Sequence, residues 1–123
     1  MIAPALVSIV DDDESVRESL PHLVRQLGFS ALAFSSADQF LASDCIADTR
    51  CVIADIVMPG MSGPELYRTL RDRGSDIPVI FITSRRDEKV RMRLLREGAV
   101  ECLYKPFSDT ALLAALSTAF RAR

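Results

Sequence analysis

The chain has 123 residues, of which 49% are hydrophobic and 26% are charged, with a formal net charge of -2. This length suits one domain, and the apolar content excludes intrinsic disorder. No stretch approaches the roughly 18 uninterrupted apolar residues of a membrane span, and the start Met1-Ile2-Ala3-Pro4 lacks a secretory signal. The small net charge excludes a generic nucleic-acid binder. We therefore expect a cytoplasmic domain over residues 1–123 that binds neither nucleic acid nor membranes.

Cysteine and histidine usage argues against disulfides and zinc sites. The three cysteines, Cys45, Cys51 and Cys102, are an odd number without CxxC spacing, and His22 is the single histidine. Such a set predicts free thiols in a reducing compartment.

Five apolar runs alternate with helical patterns along the chain. The predicted strands are Ala5–Val10, Phe29–Phe34, Cys51–Asp55, Val79–Thr83 and Cys102–Tyr104. The first, third and fourth are almost continuously apolar, which is typical of strands buried on both faces of a parallel sheet. The second is weaker and predicts an edge strand.

Apolar residues at helical spacing follow each strand. The predicted helices are Val16–Leu27, a short helix from a Ser36 cap to Leu41, Pro64–Arg73, Arg86–Glu97 and a last helix capped by Ser108. Five alternations of strand and helix predict an α/β fold, namely a doubly wound five-stranded parallel sheet with helices on both faces.

Polar residues follow the carboxyl ends of four strands, which is where open α/β sheets carry their functional sites. They are Asp11, Asp12, Asp55, Thr83 and Lys105. Neighbouring carboxylates repel each other unless a cation lies between them, and oxygen ligands suit Mg2+. A carboxylate beside Mg2+, with a hydroxyl and a lysine nearby, can handle phosphoryl groups, and an aspartate can be the nucleophile.

Each of these residues alone also has a structural explanation. Asp13 and Glu14 suit the start of a helix, Thr83 suits a strand end, and Lys105 suits the surface. Asp55 is harder to explain in this way, because a lone carboxylate after an apolar strand is unfavourable unless it is paired. The functional interpretation therefore depends on the combination at four strand ends.

The motifs, taken in order, resemble the receiver domain of bacterial two-component response regulators. Val10-Asp11-Asp12-Asp13 resembles the family's acidic pair, and the loop from Asp55 to Gly63 resembles its phosphoacceptor loop. Ile82-Thr83-Ser84 resembles its switch strand, and Lys105-Pro106-Phe107 its lysine loop. All four motifs together are far more specific than any one. Their local sequence most resembles that of receivers that precede helix-turn-helix output domains.

The resemblance implies a flavodoxin-like (βα)5 fold and a role for each matching residue. Asp55 would accept a phosphoryl group from a histidine kinase or a small phosphodonor. Mg2+, or Mn2+ in its place, would be held by Asp11, Asp12, Asp55 and the main-chain carbonyl of Val57. Thr83, Ser84 and Lys105 would contact the phosphoryl group, and a cis peptide bond would precede Pro106.

The chain departs from the family pattern near the fifth strand. Cys102 stands where the family usually has an aromatic residue, three positions before the lysine. Tyr104 lies on the same strand face, so it either substitutes for that ring or is an ordinary half-buried residue. Val57 and Arg85 flank the path of an attacking water and neither can activate it, which predicts slow self-dephosphorylation.

The resemblance also implies partners. They are a histidine kinase and an output domain or partner protein bound through the fourth helix, fifth strand and fifth helix, with a phosphorylation-dependent homodimer as a further option. The basic run Arg85–Glu97 is either part of that interface or a solvated helix face. Three residues follow Phe120, so we expect a complete receiver that acts as a switch, not an enzyme, in transcription regulation.

Two alternatives remain open. A small Mg2+-dependent phosphatase resembling the haloacid dehalogenase superfamily would use the Asp-x-Asp spacing in Asp11-Asp12-Asp13, but it leaves Asp55 and the Met58-Pro59 loop unexplained. A receiver that is never phosphorylated is disfavoured, because the acidic pair, Asp55, Thr83 and Lys105 are all present.

Overall fold

The computed structural model describes residues 4–121. Met1–Ala3, which belong to the start that lacks a predicted secretory signal, lie outside the described residues, as do Ala122 and Arg123 at the end of the predicted domain. The strands are β1 Leu6–Val10, β2 Ser30–Phe34, β3 Thr49–Asp55, β4 Val79–Thr83 and β5 Glu101–Tyr104. The helices are α1 Glu14–Gln26, α2 Ala37–Ala42, α3 Gly63–Asp72, α4 Glu88–Arg96 and α5 Asp109–Arg121, with a 3-10 turn at Ile46–Asp48.

The five strands form one parallel sheet in the order β2-β1-β3-β4-β5. This confirms the predicted doubly wound sheet and the position of β2 at its edge. The strand order reverses beside β1, so the chain leaves β1 and β3 toward opposite faces of the sheet. Ligands bind such sheets in the crevice outside the carboxyl ends of the strands at that point.

Two apolar clusters cover the two faces of the sheet. One packs α2, α3 and α4 residues such as Phe40, Leu70 and Leu94 against the sheet, and the other packs α1 and α5 residues such as Val24 and Leu116. Successive β3 residues enter opposite clusters because side chains alternate across a strand. The buried strands therefore hold their carboxyl ends rigidly between two packed layers.

Helix starts follow the side chains that cap them. Asp13, Ser36 and Ser108 each accept a bond from a main-chain amide in the first turn of a helix, as the sequence predicts. Helix α4 starts at Glu88, two residues after the predicted start, because Asp87 accepts from the amides of Lys89 and Val90. No helix within residues 4–121 is long and apolar enough to cross a membrane.

Candidate functional site

Three carboxylates meet at the carboxyl edge of the sheet. Asp11 and Asp12 follow β1, Asp55 ends the neighbouring strand β3, and one oxygen from each lies within 4.8 Å of the others. Asp11 is fully buried, Asp55 is 8% exposed and Asp12 is open to solvent. The structure thus gathers the acidic residues that the sequence analysis singled out, with one of them facing outward.

Lys105 bridges the two buried carboxylates. Its Nζ donates to Asp11 Oδ2 at 3.0 Å and to Asp55 Oδ2 at 3.1 Å. The main chain of Lys105 is fixed against β4, because its amide donates to the carbonyl of Thr83 at 2.7 Å. The peptide bond between Lys105 and Pro106 is cis. The side chain of Lys105 is therefore paired within the carboxylate cluster and is not a solvated surface charge.

The second oxygen of each bridged carboxylate is held by the main chain. Asp11 Oδ1 accepts from the amide of Asp13 at 2.9 Å, and Asp55 Oδ1 accepts from the amide of Val57 at 3.2 Å. Arg17 of α1 also donates to the main-chain carbonyl of Asp11 at 3.1 Å, a contact that sequence reasoning missed. The acidic residues are therefore held in place by several independent bonds.

The charges of this cluster do not balance. Burial raises the pKa of the Asp55 carboxyl; the hydrogen bond from Lys105 opposes that rise, and repulsion by Asp11 adds to it. Burial also acts to lower the pKa of Lys105, but its hydrogen bonds to Asp11 and Asp55 and its attraction to their charges together outweigh burial, so that pKa is raised. A charged ammonium thus faces an excess of negative charge, which favours binding of a further cation.

The start of α3 packs directly against the main chain of Asp55. Gly63 donates its amide to the carbonyl of Ile56 at 3.1 Å, and a Cβ atom at this position would collide with the carbonyl oxygen of Asp55. Ser62 and Glu65 form a capping box that starts the helix at this point. Sequence reasoning did not assign this role to Gly63, although the Ser-x-x-Glu pattern signals the helix start.

A small cavity lies beside Thr83 at the end of β4. It has a volume of about 110 Å³ and is lined by Val57, Thr83, Arg85, Asp87, Val90 and Cys102 among others. The Thr83 hydroxyl accepts from the amide of Arg85 at 3.1 Å, while Ser84 and Arg85 are exposed. Burial raises the pKa of the Cys102 thiol to about 11, so the cavity wall carries a neutral thiol where the family usually has a ring.

Tyr104 is tied to the start of α4. Its hydroxyl donates to Glu88 Oε2 at 2.8 Å, and the guanidinium of Arg86 lies 4.9 Å from the centre of its ring. The sequence left the role of Tyr104 open, and Glu88 was not singled out. Their contact depends on how α4 is placed over β5.

Arg91 is the central residue of the contact between α4 and β5. Its guanidinium bonds to Glu88 and Glu101, each at 2.9 Å, and to the main-chain carbonyl of Cys102 at 3.2 Å. Arg91 is therefore committed within the molecule, in contrast to Arg93, whose nearest carboxylate partner is Glu97 at 3.9 Å. Only the spacing of Glu88 and Arg91 by three residues signalled part of this network.

Residues 7–117 match the protein family described as the response regulator receiver domain. The chain belongs to that family. The receiver is 38% identical over 117 residues to the response regulator protein TodT of Pseudomonas putida, which covers 95% of this chain and 52% of TodT. It is 38% identical over 110 residues to the transcriptional regulatory protein FixJ of Azorhizobium caulinodans, covering 89% of this chain and 52% of FixJ.

Solved structures agree with this assignment. The crystal structure of FixJ-N superposes on the receiver with a TM-score of 0.86 at 37% identity, covering 99% of this chain and 98% of that one. The receiver spans about half the length of the curated relatives it matches. It is thus a receiver of two-component response regulators with relatives among transcriptional regulators, and nothing found favours the haloacid dehalogenase alternative.

Proposed function

We propose that this receiver is a phosphoacceptor switch in which Asp55 takes a phosphoryl group from a phosphohistidine of a histidine kinase. The observation that carries the proposal is the cluster of Asp11, Asp12 and Asp55 within 4.8 Å, bridged by Lys105. A nucleophilic carboxylate, two further acidic ligands and a fixed ammonium are the groups that phosphoryl transfer to an aspartate requires.

In the transfer, an oxygen of Asp55 attacks phosphorus as the nitrogen–phosphorus bond of the phosphohistidine breaks. The released imidazole nitrogen takes up a proton from solvent. The new group brings about two negative charges and three acceptor oxygens. Lys105, already within reach of Asp55 Oδ2, pairs with these oxygens, and Thr83 and Ser84 supply further donors from the end of β4.

The acidic cluster fits a divalent cation. The cluster holds three carboxylates but one ammonium, which bonds to two of them, and all the ligand atoms are oxygens, which suits Mg2+ and, second, Mn2+. Asp12 and Asp55 would bind the ion directly with the carbonyl of Val57, and Asp11 would act through a bound water. When bound, Mg2+ supplies positive charge that offsets the carboxylates and the phosphoryl oxygens.

The partners and the output follow from the family as proposals. The receiver takes its signal from a histidine kinase and transmits it to an output domain or a partner through α4, β5 and α5, with a phosphorylation-dependent homodimer as one form of that contact. Transcription regulation in the cytoplasm is the proposed process, by a receiver domain over residues 1–123. Its own chemistry is limited to self-phosphorylation from small donors and slow self-dephosphorylation.

The test is phosphorylation by acetyl phosphate or phosphoramidate in the presence of Mg2+, followed by intact mass measurement and peptide mapping. We expect one phosphoryl group on Asp55, no label when EDTA removes the metal, and no label in Asp55→Asn. Asp72→Asn is the matched control, since it removes an exposed carboxylate at the end of α3, and it should be labelled like wild type. Label on Asp11 with steady turnover of phosphate esters would instead support a phosphatase and overturn the proposal.

A further inference from the structure

The amino-terminal half of α4 is attached to the sheet mainly by polar contacts. Leu94, near the other end, is the residue of α4 that is buried in the core, and Val90 packs partly against it. Arg91 and Glu88 add polar attachments to Glu101, to the carbonyl of Cys102 and to Tyr104. Polar contacts of this exposed kind are individually weak, so this part of α4 can shift without disturbing the core.

Tyr104 contacts the chain at two points, one in the segment between β4 and α4 and one at the first residue of α4. Its hydroxyl bonds to Glu88, and its ring lies under the guanidinium of Arg86. These two residues flank Asp87, the cap of α4. We call Tyr104, Glu88 and Arg86 the Tyr104 latch. Tyr104 itself is fixed to the sheet, because β5 is paired with β4 and the amide of Lys105 donates to the main-chain carbonyl of Thr83.

Space for movement lies under the latched segment. The cavity of about 110 Å³ separates Arg85 and Asp87 on the segment from Cys102 on β5. The Thr83 hydroxyl, at the start of the segment, accepts from the amide of Arg85. If that hydroxyl turns toward a phosphoryl group on Asp55, the bond from the amide of Arg85 is lost, and we expect the chain up to Asp87 to move with it.

We infer that the Tyr104 latch holds the β4–α4 segment in its unphosphorylated arrangement and so opposes phosphoryl binding at Asp55. The inference rests on the proposed function. Glu88 directly follows the segment that must move, whereas Tyr104 stays with the sheet, so the bond between them is stretched or broken when Thr83 engages the phosphoryl group. Tyr104 is thus a positioning residue that acts through the segment carrying Thr83 and sets how readily the switch responds.

The test measures binding of beryllofluoride, a non-transferable phosphoryl mimic, to the receiver with Mg2+ present. Tyr104→Phe keeps the ring and its contact with Arg86 but removes the hydroxyl that donates to Glu88. We expect it to bind beryllofluoride about three- to tenfold more tightly, the range set by the net contribution of one hydrogen bond. In a Glu88→Ala background the same substitution should have no further effect, because the acceptor is gone.

Glu97→Gln is the matched control. It neutralises a carboxylate just beyond the other end of α4, where the partners Arg68 and Arg93 lie at 3.7 Å and 3.9 Å, and it should leave the affinity unchanged. Thermal unfolding without ligand separates the latch from a merely structural role. The latch requires a lower melting temperature together with tighter binding, whereas a structural contact lowers the melting temperature without improving binding.

Unchanged or weaker beryllofluoride binding in Tyr104→Phe overturns the latch and leaves the proposed function intact. Failure of the wild-type receiver to bind beryllofluoride with Mg2+ has a different meaning, because it removes the phosphoacceptor site and with it the latch. A gain of equal size in Glu97→Gln also overturns the latch, since it would show a general effect of charge on α4.

Discussion

Two regions of the receiver place one cation between two carboxylates with similar geometry. Lys105 lies 3.0 Å and 3.1 Å from Asp11 and Asp55, and their side chains are 0% and 12% exposed. Arg91 lies 2.9 Å from both Glu88 and Glu101, whose side chains are 63% and 33% exposed. The distances hardly differ, so the contrast between the two regions is one of burial and of the element that carries each cation.

That contrast explains why the two regions suit different tasks. Buried charges interact strongly and are poorly solvated, so adding or removing one charge at the Lys105 cluster changes its energy greatly. Exposed pairs are screened by water and contribute little, so the Arg91 network can rearrange at low cost. A sensitive centre held by rigid strands thus adjoins an adjustable helix, which is the arrangement a switch needs.

The strongest test of this contrast removes each cation in turn. Lys105→Met keeps a long side chain but leaves Asp11 and Asp55 facing each other, and we expect it to lower the free energy of unfolding by about 3 kcal/mol without metal. Arg91→Met should lower it by about 1 kcal/mol or less. Urea unfolding in EDTA measures both, with Lys89→Met on the exposed side of α4 as a control that changes little. Equal losses at Lys105 and Arg91 would contradict the importance of burial.

The gain in stability on adding Mg2+ should depend on the carboxylate cluster and not on the Arg91 network. A ligand that binds only the folded state at a hundredfold excess over its Kd adds about 2.7 kcal/mol of stability. We expect a gain of this kind in wild type and in Arg91→Met, whereas Asp12→Asn, which removes the outward-facing carboxylate of the cluster, should lose most of it. The measurement is thermal unfolding across a Mg2+ titration. The same gain in Asp12→Asn would mean that the ion binds elsewhere.

The buried region was largely predictable from sequence, because topology alone brings it together. Continuous apolar runs predict parallel strands, and their carboxyl ends must meet at one edge. That argument places Asp55 near Asp11 and Asp12 without any knowledge of side-chain packing. It could not show that Lys105 bridges two carboxylates, because the direction of a side chain after a strand depends on the path of the loop.

The α4 region was not predictable in the same way. Tyr104 and Glu88 are 16 positions apart, and their contact requires the rotation and start of α4 to be known. The predicted start at Arg86 would have put Glu88 in a different place on the helix, whereas capping by Asp87 sets the true start at Glu88. Charges on an exposed helix carry no periodic signal that separates an internal anchor such as Arg91 from a residue free for partners.

The pH dependence of the free energy of unfolding should reveal the charge repulsion in the buried carboxylate cluster. Burial and repulsion by Asp11 raise the pKa of Asp55 despite the bond from Lys105. A raised folded-state pKa means that the folded state holds the proton more tightly, so stability falls as pH rises from the unfolded pKa through the folded one.

Asp55→Asn should therefore stabilise the metal-free receiver near neutral pH, on the order of 1 kcal/mol, and the gain should vanish in acid. Chemical unfolding from pH 3 to 8 checks this trend, with Asp72→Asn as the exposed control, and a gain that persists in acid would contradict it.

The smallest expected effect concerns residues at the boundary of the two regions. Val57 and Arg85 both line the cavity beside Thr83, and Val57 is 51% exposed. Val57 cannot hydrogen-bond a water that attacks the phosphoryl group, and Arg85 cannot act as a base toward it, so Val57→Asn and Arg85→Glu should each shorten the phosphoryl half-life by about two- to tenfold. Loss of label from the purified phosphorylated protein measures this, and Val57→Leu, which adds no polar group, should leave the half-life near the wild-type value. Unchanged or longer half-lives in the two polar variants would contradict this prediction. The residues along the water path would then have no influence on the rate of dephosphorylation, and the buried cluster alone would set it.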